Sequence, residues 1–173
     1  MSYVLDSSLN LAYCNKAWDK FARENSAPQL AGGAAIGQNL LSVTDESLKP
    51  FYSNVFQSVT RENKVWESKY ECSSPELFRK FLMRVHPITP SGWFLITNSI
   101  LVEREHAPSE DRFIDYVDPN GQISLCVHCR CSKRAAPPER WDFVPSNLNP
   151  KIANIKQDLC PICREYFYPS RRS

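Results

Sequence analysis

Cys126-Val127-His128-Cys129 and Cys160-Pro161-Ile162-Cys163 are two Cys-x-x-Cys knuckles, and they decide how the last third of this 173-residue chain folds. Each knuckle offers two sulfurs from one tight turn. Four soft thiolates at about 2.3 Å complete a tetrahedral zinc shell. Cys126, Cys129, Cys160 and Cys163 are therefore the expected metal ligands, and Zn2+ the expected ion. Thirty residues, 130–159, separate the knuckles. Such an insert is tolerated because the entropy of closing a loop grows only logarithmically with its length. Trp141, Phe143 and Val144 in the insert are placed to cover one side of the ion.

Four thiolates leave no position for water, so the expected role of the zinc is structural. The tail needs it: about 60 residues with few aliphatic side chains bury little surface. Metal binding can contribute on the order of 10 kcal/mol to folding such a module. His128, inside the first knuckle, and Cys131, two residues after it, could compete as ligands. The simpler reading leaves His128 in solvent and Cys131 as a spare thiol.

Working outward, the cysteine distribution argues against disulfides. Five of the seven cysteines crowd into the last third, while Cys14 and Cys72 sit alone in strand-like stretches. An odd count without a secretory signal favours metal over a disulfide framework. Met1 to Asn10 is too polar for such a signal, and no apolar run approaches the ~20 residues of a membrane span. The expectation is a cytoplasmic protein that does not enter a membrane. The net charge of +2 gives no bias toward nucleic acid. Arg130, Lys133, Arg134 and Arg140 surround the first knuckle and Arg171-Arg172 follow the second. Glu139, Asp142, Asp158 and Glu165 are interleaved with them, which reads as a solvated charged face.

The first hundred residues change period repeatedly. Tyr3–Asp6 and Leu9–Cys14, split by Ser7-Ser8, suit a hairpin. Asn15 can cap a helix from Lys16 to Asn25, with Trp18, Phe21 and Ala22 on one face. After a loop through Gly32-Gly33 to Leu41, Leu48, Phe51, Tyr52, Val55, Phe56 and Val59 recur at helical spacing, with Thr44 or Asp45 as cap. The period then switches to two: Val65–Cys72, Leu77–Ile88 and Trp93–Glu103 read as three antiparallel strands. Residues 106–112 are charged and almost free of apolar side chains, a linker by composition. Beyond them, Phe113–Val117 and Gln122–Leu125 around Asp118-Pro119-Asn120-Gly121 read as a second hairpin. The fold class is α+β, with residues 1–105 as one domain and 113–173 as a second.

The order hairpin, helix, loop, long helix, meander resembles that of PAS sensory domains. Three segments carry the likeness: Asp6 through Tyr13-Cys14-Asn15-Lys16-Ala17-Trp18, the Ile36-Gly37-Gln38-Asn39-Leu40 loop, and Phe81–Ile88 followed by Gly92–Ser99. The tail is similar instead to zinc ribbons appended to some bacterial PAS proteins. The resemblance implies an antiparallel sheet with flanking helices, a protein partner in bacterial signal transduction, self-pairing as a homodimer, and a small-molecule ligand. Neither covalent flavin nor haem is implied, since residues 37–41 hold no cysteine and the long helix holds no histidine. Trp18, Trp66, Phe81 and Trp93 could line a pocket, although aromatics at such spacings more often fill a core. An inward Arg79 or Arg84 would suggest an anionic ligand. No nucleophile elbow, phosphate loop or open-site metal motif appears, so no enzyme is expected. The alternative function is a nucleic-acid-binding regulator that uses the basic ribbon.

Overall fold

The computed structural model describes residues 1–25, 27–106, 113–149 and 154–169. Most of the 106–112 segment and the Arg171-Arg172 pair lie outside the described residues. The chain is mixed α+β. Strands β1 (Ser2–Leu5), β2 (Leu11–Cys14), β3 (Trp66–Glu71), β4 (Leu77–Ile88) and β5 (Trp93–Glu105) form one antiparallel sheet in the order β2-β1-β5-β4-β3. Helices α1 (Lys16–Glu24), α2 (Leu40–Val43) and α3 (Lys49–Glu62) lie in sequence between β2 and β3. A second, four-stranded sheet has the order β8-β7-β6-β9, built from β6 (Ile123–Cys126), β7 (Ser132–Lys133), β8 (Trp141–Asp142) and β9 (Ile155–Asp158); α4 (Pro161–Phe167) follows it.

Two compact units divide the chain: Met1–Lys69 with Phe81–Ile100, and Tyr70–Lys80 with Leu101–Ser173. In the first, β1 pairs with β2 in one direction and with β5 in the other, Tyr3 facing Cys14 and Ile96. Alternation puts Tyr3 and Leu5 of β1, and Phe94 and Ile96 of β5, into one core. Val55, Phe56 and Val59 of α3 join them, and Phe56 meets Phe94 edge to face at 4.9 Å. Burying one such side chain stabilises the fold by roughly 1.5–3 kcal/mol. Asn15 caps α1, as expected: its Oδ1 accepts from the N–H of Trp18 at 3.1 Å and from that of Ser2 at 3.2 Å.

Some expectations move. The long helix begins at Lys49 rather than beside Thr44 or Asp45, because the Asp45 carboxylate accepts from its own turn at Ser47. The loop before it contains α2, capped by Asn39 through a bond from the N–H of Leu41. Residues Phe113–Tyr116 form a 3-10 turn, not the first strand of a hairpin. Tyr116 is fully buried there and donates its hydroxyl proton to Asp142 at 2.8 Å, an anchor a strand at that position would not need. Trp93 is 40% exposed and no part of a core. Arg84 pairs with Glu67 at the surface and Arg79 with Glu103 at 2.7 Å, so both cations have protein partners. Cys14 and Cys72 are half-buried.

Candidate metal centre

The second unit brings the knuckles together by strand register. β6 and β9 run parallel, with Ile123 beside Ile155 and Cys126 beside Asp158. The first knuckle leaves the end of β6, and the second begins two residues past the end of β9. Parallel strands need a long crossover between them. Here β7, β8 and the 3-10 turn Pro145–Leu148 occupy the described part of that crossover. The N–H of Val127 donates to the Asp158 carbonyl at 2.9 Å, which extends the pairing into the knuckle itself.

Each knuckle closes by a local device. In the first, the N–H of Arg130 donates to the Cys126 carbonyl at 3.1 Å, and Arg130 takes a left-handed φ of 62° to do so. In the second, Cys160 caps α4: its sulfur accepts from the N–H of Cys163 at 3.4 Å, with Pro161 in the first turn where no donor is missed. The N–H of Cys160 donates to Cys126 Sγ, also at 3.4 Å. Backbone N–H groups aimed at sulfur favour the thiolate form.

The four ligand sulfurs lie within 4.8 Å of one another, and Cys129 and Cys160 are 3.7 Å apart. Bonds of 2.3 Å at tetrahedral angles set sulfurs about 3.8 Å apart. The donor set therefore fits a divalent metal ion such as zinc. Cys126, Cys160 and Cys163 are buried and Cys129 is half-buried. Hydrogen bonding to Cys129 and burial push the Cys126 thiol up to about 12. Burial, and then the charges of Cys126 and Cys129, raise Cys163. A bound cation would reverse that balance for Cys126 and Cys163, and protons would leave as it enters.

Cys131 stands outside the four-sulfur cluster, as the simpler reading has it, but His128 differs from that reading. His128 is half-buried rather than solvated: its Nδ1 lies 3.4 Å from Cys163 Sγ, with the ring stacked on Tyr166 and edge-on to Phe167 at 4.8 Å. Burial lowers its pKa toward the neutral imidazole, whose Nδ1–H can donate to the sulfur. Cys131 shares a cavity wall with Cys129. Sequence reasoning placed Asp158 only in a solvated charged face and missed its role beside the knuckle, where its carboxylate accepts from the N–H of Leu159 and pairs with Arg164 at 2.8 Å. A four-residue strand with one apolar residue, Ile155, gives it no periodic signature. Val144 is fully buried. Phe143 instead packs on His106 and Phe78, at 5.1 and 6.3 Å.

A cavity of about 400 Å³ opens in this unit beside Cys129 and Cys131, with Phe78, Arg104, His106 and Phe143 in its wall. The Arg104 guanidinium lies 4.8 Å over the Phe78 ring, and His106 Nε2 lies 2.7 Å from the Ser74 carbonyl. The first unit holds a smaller apolar cavity of about 150 Å³, lined by Tyr3, Leu11, Trp18, Leu30, Gln38 and Val43. Of the four aromatics singled out, only Trp18 lines it; Phe81 is buried and Trp66 packs on the core. Around the knuckles, Lys133 pairs with Glu139, and Arg140 with Asp142. No helix among the described residues is long and apolar enough to cross a membrane. Comparison with known protein families, with curated proteins and with solved structures finds no match to this chain.

Proposed function

We propose that this chain is a non-enzymatic sensory and protein-interaction module: a PAS-like unit joined to a zinc ribbon whose Cys126, Cys129, Cys160 and Cys163 hold a structural zinc. The observation that carries the metal half is the convergence of four sulfurs, from turns thirty residues apart, within 4.8 Å. All four are protein ligands, which closes the shell and makes the ion a fold element rather than a reagent. The sensory half is supported by the first unit, where hairpin, helices and meander meet on one sheet in the order β2-β1-β5-β4-β3. The apolar cavity there, between Trp18 and β1, has room for a small uncharged ligand of a few heavy atoms. With no catalytic constellation assigned, the output passes to a protein partner or through self-pairing.

The ion pairs of Lys133, Arg140 and Arg164 with neighbouring carboxylates leave these cations less free for phosphates, so they do not favour the nucleic-acid reading. Native mass spectrometry of protein purified without added metal tests the proposal. One zinc per chain is expected, and the same spectrum reports subunit count and any retained small molecule. A fully folded, metal-free protein would refute the ribbon.

A further inference from the structure

Of the five cysteines in the tail, the structure treats two differently. Cys126, Cys160 and Cys163 are buried, whereas Cys129 and Cys131 are half-buried and line the same 400 Å³ cavity. One residue separates them, so their Cα atoms are at most about 7 Å apart and can come within the range a disulfide spans. Cys131 is not among the four clustered ligands. One ligand thiol thus faces an open cavity beside a second thiol that holds no metal.

We propose that Cys129 and Cys131 are an oxidisable pair, with hydrogen peroxide as oxidant, and that their disulfide opens the metal shell. The Cys129 sulfur attacks one peroxide oxygen; the O–O bond breaks, Cys129 becomes a sulfenic acid, and the departing hydroxide takes a proton to leave as water. The Cys131 sulfur then attacks the sulfenic sulfur; the S–S bond forms, the S–O bond breaks, and a second water leaves. Two thiols lose two electrons and two protons, and one peroxide becomes two waters. A disulfide sulfur is a poor metal ligand, so the ion keeps three thiolates and is released. Cys131 is the resolving residue, and it protects Cys129 from irreversible oxidation.

Disulfide formation stands without the zinc reading; the release step rests on it. The test therefore uses the full chain, with bound metal measured before limiting hydrogen peroxide is added. Peptide mapping then locates disulfides, and a chromophoric chelator follows released zinc. The wild type is expected to form the 129–131 disulfide, lose its zinc, and regain both thiols and metal after dithiothreitol. Cys131→Ser and Cys131→Ala should hold one zinc beforehand, yet accumulate sulfinic acid at Cys129 and lose the reversible fraction. A wild-type chain that joins Cys129 to another ligand cysteine overturns the proposal. So does loss of zinc in both unoxidised variants, which would make Cys131 a ligand. A wild type that never held zinc but still forms the 129–131 bond refutes the ribbon alone.

Discussion

Asp6 shows how much one side chain fixes in the first unit. Its carboxylate accepts from the N–H of Ser8 at 2.8 Å, the N–H of Asn10 at 2.9 Å and the Asn10 side chain at 3.1 Å. These bonds hold together a turn in which Leu9 sits at a left-handed φ of 64°. They stabilise the charged form, the backbone bond from Asn10 most of all, and hold the Asp6 pKa below its ordinary value. The folded pKa is thus lower than the unfolded one. The contribution to stability is present above the unfolded carboxylate range and fades as pH falls through the folded pKa. Asp6→Asn should lower the urea midpoint at about pH 7, and the gap to wild type should close near about pH 2. A gap that stays constant with pH would show that shape, not charge, holds the turn.

At the level of elements, legibility followed local chemistry. The helix after Asn15 and the strand Leu77–Ile88 were readable because cap, period and turn residues act within a few positions of themselves. The start of α3 was not, because Asp45 had two local uses and the pattern of apolar residues does not choose between them. The four cysteines that cluster could be named from spacing alone, since a Cys-x-x-Cys turn carries its own geometry. What spacing could not show was the parallel pairing of β6 with β9, a partnership across more than thirty residues set by the register of two short strands. Nor could it place His128 against Cys163, which depends on where α4 lies. That register makes a specific prediction. One glycine inserted between Asp158 and Leu159 moves the second knuckle by about 3.3 Å, more than a metal shell tolerates. Zinc affinity measured by chelator competition should fall by at least about a hundredfold, roughly the loss of one ligand's worth of binding. Unchanged affinity would mean that the knuckles find each other without the strands.

For the molecule as a whole, the proposed zinc site makes the second unit depend on its ion more than on its core. Its interior rests on Tyr116, Ile123, Leu125, Val144, Leu159 and Phe167. Asn147 and Ser132, hydrogen-bonded to each other at 3.0 Å, are buried among them. Chelation should therefore unfold this unit, with the amide signals of Val127, Ser132 and Val144 collapsing toward random-coil positions. Stoichiometric zinc should restore them. Signals that keep their dispersion in excess chelator would show a core sufficient by itself.

The crossover that joins the two parallel strands also imposes an order in time. At about 5–20 residues per second, a ribosome needs roughly 2–6 s to make residues 130–159. For that interval Cys126 and Cys129 have no second pair of thiols to complete their shell. Metal met before the second knuckle is made can be held by two thiolates at most, so full capture waits for Cys160 and Cys163. A cell short of zinc would accumulate chains whose first pair of thiols waits unprotected.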